Sequence, residues 1–371
     1  MSGYPVLRSP FSYVSRIGGG GSGTVYGATA NIAAKVPYRF DRAQRFHQQL
    51  SESGIEECAL ERKIYSSLAS TDGRILHPHI VQFFLDTEDD PDAENAFLIE
   101  RMEKSLKARI EEGVAPLELQ YRWIKQITKA VVFLEQRGLY HCDLRPANIL
   151  LDGSDNVKLC DFTNARDSGE PMPGATEPFY RVGSDSPRPA VGPATEQFAI
   201  GSTIYNIRKG EEPPEYLCDM GQRPSFTRDE LLSLANDDVF GQVIQRCWHA
   251  EFDTLAQVEE AVSAAIVQTG VTVVDEVKIM DLPTFQARIS ECKVFLEEQK
   301  PIREDLEERR KQREMKKASM NSRSFLVSMP AALRNYISQL YATPPQRMAL
   351  ISVSFAAICG TLFWTFRKYK R

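Results

Sequence analysis

One octet constrains this chain more than any other stretch. Residues 141–148 read His-Cys-Asp-Leu-Arg-Pro-Ala-Asn, and the apolar run Ile149-Leu150-Leu151 follows at once. Asp143 stands five residues before Asn148, with Arg145 between them. An Asp so placed can orient an attacking hydroxyl, and the Asn can hold a metal ion, which is what phosphoryl transfer requires. Such an octet also arises by chance in loops. Its weight depends on a Gly-rich loop, a strand Lys, a helix Glu and a second Asp standing around it in that order.

All four are present. Gly18-Gly19-Gly20-Gly21-Ser22-Gly23 precedes Thr24-Val25-Tyr26, after a strand expected over residues 11–18. Glycines let a backbone approach phosphates closely and turn its N–H groups toward them. The tip at residues 20–22 is expected to move. Ile32-Ala33-Ala34-Lys35-Val36 reads as a strand, and a Lys inside an apolar strand needs a partner. Residues 41–69 read as a helix that offers Glu61, with Tyr65 one turn on. Glu57, one turn before Glu61 on the same face, is the rival. Residues 86–94 read as an acidic solvated loop and residues 96–102 as a strand. Ile124, Ile127, Val131 and Leu134 recur at helical spacing within 117–138. Residues 149–151 and 157–160 then flank Asp152-Gly153, a hairpin signal, and deliver Asp161-Phe162.

In this order the residues resemble the eukaryotic protein kinase family over roughly 13–268. The resemblance implies an α+β, bilobal protein kinase-like fold, with a small β-rich N-lobe and a large helical C-lobe. It implies that His77-Pro78-His79-Ile80-Val81 opens the fourth strand, at a distance that favours Glu61 over Glu57. It implies ATP and Mg²⁺ as cofactors. Gly18, Gly20 and Gly23 would cover the phosphates, and Lys35, oriented by Glu61, would grip them. Val25 and Ala33 would lie on one face of adenine and Leu150 on the other, with backbone groups from Glu100 to Met102 at its edge. Asn148 and Asp161 would hold Mg²⁺. Asp143 would receive the substrate hydroxyl, with Arg145 where Ser/Thr kinases usually have Lys. Tyr65, Phe83, His141 and Phe162 would stack into an internal column. Residues 195–202 resemble the large-lobe helix that begins Asp-x-Trp-Ser-x-Gly, with Glu196 at the Asp position, and Cys247-Trp248 resembles a late large-lobe pair.

The chain departs from the family at several points. Cys142 replaces the Arg that commonly anchors an activation-loop phosphate, so that switch is expected to be absent. Thr163 replaces the Gly after Asp161-Phe162, and a β-branched residue there should restrict flipping of Phe162. Tyr180-Arg181-Val182-Gly183-Ser184 stands where the family has Ala-Pro-Glu, with Ser184 at the Glu position and Leu255 at that of its Arg partner. Losing one member of a buried ion pair costs about 3–5 kcal/mol, whereas losing both together is nearly neutral.

The rest of the composition narrows the setting. A net charge of −5 and no basic face argue against a nucleic-acid binder. Seven scattered Cys without CxxC pairing suggest a reduced environment and no zinc site. The N-terminus lacks the features of a secretory signal. Residues 348–366, from Met348 to Phe366, carry no charge and approach the ~30 Å of a bilayer core as a helix. Arg347 closes one end and Arg367-Lys368-Tyr369-Lys370-Arg371 the other. A buried core helix is the competing reading.

These features divide the chain into an N-terminal arm (1–12), a kinase-like domain (13–270), a charged helical stalk (271–322), an interfacial amphipathic segment (323–345) and a single C-terminal transmembrane helix (347–371). In the stalk, Phe285, Ile289, Cys292 and Phe295 or Leu296 share a helical face that Pro301 should interrupt. The expected function is a protein kinase that transfers the ATP γ-phosphate to a protein Ser, Thr or Tyr hydroxyl. It would be tail-anchored and face the cytosol, at the mitochondrial outer membrane ahead of the endoplasmic reticulum. The alternatives are a membrane-tethered pseudokinase scaffold and a kinase-fold enzyme acting on small molecules.

Overall fold

The computed structural model describes residues 11–38, 45–87, 95–174, 179, 189–214 and 236–328. Strands β1 (Ser15–Gly19), β2 (Gly23–Gly27) and β3 (Ile32–Pro37) pair antiparallel in succession. Helix α1 (Arg45–Leu68) follows, then β4 (Phe83–Asp86) and β5 (Phe97–Glu100). The sheet runs β1-β2-β3-β5-β4. Phe11 precedes β1 as a buried core residue instead of belonging to the strand. The His77–Val81 run makes only a bridge, Ile80 to Leu159, and β4 begins later.

Every residue of β3 is buried, because both faces of the sheet are covered. Ala33 belongs to the main core with Cys58 and Tyr65 of α1. Ile32, Ala34 and Val36 point the other way, into a second core with Phe84, Leu98, Phe285, Cys292, Phe295 and Leu296. A strand with two buried faces reads as an unbroken apolar run, as this one does apart from Lys35.

The helical lobe opens with β6 (Lys104–Ser105) and α2 (Leu106–Glu111), where the Ser105 hydroxyl caps the Ala108 amide at 3.1 Å. Helix α3 (Leu117–Glu135) buries Ile124, Ile127, Val131 and Leu134 as its spacing predicts. Strands β7 (Leu139–Tyr140), β8 (Ile149–Leu151), β9 (Val157–Leu159) and β10 (Arg166–Asp167) frame the octet. The β8–β9 hairpin forms, but not through a two-residue Asp-Gly turn. Its loop is closed by the Asp152 amide on the Asn156 carbonyl, and Asp155 takes the positive φ of 59°. Helices α4 (Pro193–Lys209), α5 (Gly241–Trp248) and α6 (Leu255–Thr269) complete the lobe. A Cβ on Gly201 would lie 2.9 Å from the Cys247 Cβ, so glycine there permits the close approach of α4 and α5.

Residues 271–281 then run from the helical lobe to the sheet. On the way Asp275 accepts from Gln126 of α3 at 2.9 Å, ion-pairs with Lys129 of the same helix and faces His79 Nε2 at 3.5 Å. Helix α7 (Leu282–Ser328) lays Phe285, Cys292, Phe295 and Leu296 on the outer sheet face. Phe295 meets Phe11 at 5.2 Å between ring centres, and the Gln299 side chain accepts the Ser12 amide at 2.8 Å. The start of the segment read as a stalk is therefore the missing cover of the sheet. The helix also continues through Pro301, where the sequence suggested a break.

The chain divides into two compact units at Arg303/Glu304, well beyond residue 270, because residues 271–299 complete the second core. Within the second unit the described residues are helical to Ser328 and carry exposed pairs such as Arg309–Asp305 at 2.9 Å. Among the described residues no helix is long and apolar enough to cross a membrane. The span expected at 348–366, the interfacial segment beyond 328 and Ser184 lie outside the described residues.

Candidate active site

Lys35 sits on β3, Glu61 on α1 and Asp161 just after β9, and the fold brings the three together. Lys35 Nζ is 2.5 Å from Glu61 Oε2 and 2.8 Å from Asp161 Oδ1. Glu57, the rival partner, is half-buried and accepts instead from Ser53 at 2.8 Å. Burial works against the Lys35 charge, but Asp161 and Glu61 outweigh it and raise its pKa well above the ordinary value. Burial pushes the Glu61 carboxyl up, against the pull of Lys35. Burial also works upward on Asp161, yet Lys35 wins there and holds the carboxyl down to about 2. Asp161 and Lys35 are thus both charged at neutral pH, as metal and phosphate binding require.

Asp161 takes φ 62°, ψ 66°, a left-handed conformation that Asp tolerates better than most residues. The tight 3-10 turn Phe162–Asn164 follows. Thr163 is not among the residues with positive φ, so the glycine usual at this place is not needed for the backbone. Phe162 is fully buried at the centre of the expected column. It lies 5.2 Å from Tyr65 and 5.2 Å from His141, and Tyr65 stacks on Phe83 at 5.4 Å.

The octet forms a tight loop around Asp143. The Asn148 amide nitrogen donates to the Asp143 carbonyl and to its Oδ2, both at 2.9 Å. Arg145 Nε lies 3.4 Å from the same Oδ2. His141 Nε2 bonds the Cys160 carbonyl at 3.0 Å, which joins the octet to the Asp161 strand. From below, Glu196 of α4 accepts the Cys142 amide at 3.1 Å. Cys142 itself is buried at φ 61°. Burial pushes the thiols of Cys142 and Cys160 up, away from the thiolate that nucleophilic chemistry needs. The five described cysteines are all free.

The Gly-rich turn closes through Gly20 N–H to the Gly23 carbonyl at 3.0 Å. A Cβ on Gly23 would lie 2.2 Å from the Val36 carbonyl oxygen, and one on Gly20 would lie 3.6 Å from Asp161 Oδ2. Gly18, by contrast, has ordinary room beside Val25. At the tip Ser22 is buried and its carbonyl rests against Gly54 of α1, whereas Gly20 and Gly21 are exposed. Val25, Leu150 and Met102 are half-buried and pack against the main core, which includes Ala33. The Glu100 side chain is committed to Lys158 at 2.9 Å, and the Glu100 and Arg101 amides bond Gln82 and Asn31.

The donor set suits Mg²⁺, which prefers hard oxygens and usually takes few protein ligands beside phosphate oxygens. With its nitrogen turned to Asp143, Asn148 keeps Oδ1 without a hydrogen bond among the described residues, and Asp161 keeps Oδ2 likewise. No cluster of three or more His, Cys, Asp or Glu side chains suited to a metal occurs among the described residues. Two contributors escaped the sequence reading. Lys158 alternates within an apolar strand, a pattern that signals a paired buried Lys. Thr163 was visible only as a missing glycine, whereas its hydroxyl reaches Asp161 at 2.7 Å.

Leu255 is buried at the start of α6, its amide donating to both Glu135 oxygens at 2.9 and 3.0 Å. An apolar residue there leaves no unpaired charge.

Comparison with known proteins agrees with this geometry. The family model for the protein kinase domain matches residues 11–222, more than half of the chain. The chain is 28% identical over 166 residues to putative CBL-interacting protein kinase 13 of Oryza sativa subsp. japonica, covering 43% of this chain and 29% of that protein. It is 30% identical over 162 residues to cyclin-dependent kinase F-4 of the same organism, covering 42% and 32%. It is 37% identical over 97 residues to CBL-interacting serine/threonine-protein kinase 12 of Arabidopsis thaliana, covering 24% and 18%. The matched stretches thus span less than a third of each of these relatives. With its sheet lobe, helical lobe and the Lys35–Glu61–Asp161 junction between them, this chain belongs to the eukaryotic protein kinase-like family.

Proposed function

We propose that the chain is an active protein kinase that transfers the γ-phosphate of ATP to a Ser or Thr hydroxyl of a protein. The observation that carries this is Lys35 held at once by Glu61 and Asp161, at 2.5 and 2.8 Å, with the column through Phe162 closed behind it. In this arrangement Lys35 binds the α- and β-phosphates, and Glu61 sets its direction. Asp161 and Asn148 would hold Mg²⁺, which would supply charge neutralisation on the transferred group. Asp143, fixed by Asn148, orients the substrate hydroxyl and receives its proton, and Arg145 stands beside it to steady charge on the phosphoryl oxygens. The Ser/Thr preference leans on the name of the Arabidopsis relative.

The test is transfer of labelled phosphate from ATP with Mg²⁺ by the full-length chain. Lys35→Met and Asp143→Ala are each expected to lower the rate by ~10²–10⁴-fold. Folded wild-type protein that binds ATP without transferring phosphate to itself or to a generic substrate would favour the scaffold reading instead.

The same proposal places the kinase at a membrane. It rests on the uncharged run 348–366, closed by Arg347 and Arg367. A short basic tail after a modest span suits a tail anchor in the mitochondrial outer membrane, with the kinase domain facing the cytosol. A fluorescent fusion of residues 324–371 should locate there. Endoplasmic reticulum is the competing destination, and a diffuse signal would remove the anchor.

A further inference from the structure

Two oxygens of different carboxylates meet two donors, the Lys35 ammonium and the Thr163 hydroxyl, at one point beneath the Gly-rich turn. Asp161 Oδ1 accepts from Lys35 at 2.8 Å and from the Thr163 hydroxyl at 2.7 Å. Glu61 Oε2 accepts from Lys35 at 2.5 Å, with the same hydroxyl at 3.4 Å. Two carboxylates share one ammonium, so the cluster holds one excess negative charge in a buried place. A hydroxyl relieves that excess without adding charge, and a glycine could not. The two bonds on Oδ1 also stop the Asp161 carboxylate from turning. Its other oxygen, Oδ2, then faces Gly20 and accepts no hydrogen bond among the described residues.

We infer that Thr163 is a positioning residue for the metal–nucleotide complex. Its hydroxyl, donated to Oδ1, locks the rotation of Asp161 so that Oδ2 is presented to a divalent cation on the nucleoside triphosphate. The inference rests on the phosphotransfer reading of the same site and deepens it. Thr163 stands where the family has glycine, so the lock is a property of this chain. The residue that looked like a loss at the metal site supplies a contact that glycine cannot make.

The test uses the full-length chain with Thr163→Val, which keeps the shape and loses the hydroxyl, and Thr163→Ser, which keeps the hydroxyl. Thr163→Gly also lacks the hydroxyl and stands in if valine disturbs the fold. Amide hydrogen exchange across residues 161–165 is read first, without nucleotide. Valine should speed exchange about tenfold and serine should return it to the wild-type rate. The Mg²⁺ concentration that half-saturates binding of a fluorescent ATP analogue is read next. It should rise about tenfold in Thr163→Val and stay within about twofold in Thr163→Ser. A wild-type Mg²⁺ requirement in Thr163→Val overturns the inference. If the wild-type chain binds no nucleotide, the kinase reading fails, and wild-type exchange in Thr163→Val would then overturn the lock on its own.

Discussion

Glu196 Oε2 accepts the backbone amide of Cys142 at 3.1 Å across 54 positions of sequence, and so holds the strained residue next to Asp143. Burial pushes the Glu196 carboxyl up. What the octet needs from this side chain is therefore an acceptor more than a charge. Glu196→Gln keeps an acceptor oxygen and should leave the phosphate-transfer rate within about fivefold of wild type. Glu196→Ala orphans the Cys142 N–H and should cost about 1–3 kcal/mol in denaturant unfolding. Equal losses in the two variants would show that the charge matters instead.

Asp275 ties the crossing segment to α3 through Gln126 and Lys129. Burial works to raise its carboxyl, but bonds from His79, Lys129 and Gln126 outweigh that and hold its pKa below the usual range. A carboxylate with a depressed folded pKa stabilises the fold above its unfolded pKa and loses that contribution as pH falls through the folded value. Asp275→Asn should therefore be less stable by about 1–3 kcal/mol at pH 7. The gap should shrink as pH drops below about 4. Paired denaturation curves at pH 7 and pH 3 check this, and a gap independent of pH would refute it.

Phe285 is buried against Phe84 at 5.6 Å between ring centres, and its neighbour on the other side is Gly73. Phe285→Ala removes a ring from a closed core and should destabilise the first unit by about 3–5 kcal/mol. Val294 lies on the same helix with 57% exposure, and Val294→Ala should change stability by less than about 0.5 kcal/mol. Similar effects for the two would mean that α7 does not cover the sheet in solution.

A Cβ on Gly54 would lie 2.5 Å from the Ser22 carbonyl oxygen, closer than real atoms approach. Gly54→Ala must lift the tip of the Gly-rich turn off α1. Hydrogen exchange over residues 20–23 should rise, with no change over 141–148. An unchanged rate at the tip would show that α1 yields instead.

Much of the site was legible because its residues are bound to one another by sequence-local chemistry. Asp143 and Asn148 lie in one loop, and Asp161-Phe162 emerges from the hairpin that the loop feeds. Glu61 and Glu57 share a helical face, and the fold sets Glu61 against Lys35 and leaves Glu57 to Ser53. The column of Tyr65, Phe83, His141 and Phe162 formed as the resemblance implied. The role of α7 was harder to read, because helical spacing says that Phe285, Cys292 and Phe295 share a face without saying what covers it. One signal was available: Ile32, Ala34 and Val36 leave the outer face of β3 as apolar as the inner one, so something had to lie on it. The seat of Ser22 is hidden in the sequence for a similar reason. Glycine composition suggests freedom, but Gly54 on a distant helix offers the hollow that seats Ser22.

The cover on the sheet has a consequence for how the protein is made. Ser12 meets Gln299 across 287 positions, and the outer core closes only when Phe295 and Leu296 arrive. On the ribosome, the strands emerge first and wait while some two hundred further residues are added, on the order of ten seconds or more at ordinary elongation rates. Through that interval Ile32, Ala34, Val36 and Leu98 face water, or whatever chaperone is nearby. The small lobe, first to be synthesised, is the last to be finished. A chain stalled before residue 285 should carry a sheet that recruits chaperones, and release of α7 from the exit tunnel should end the association.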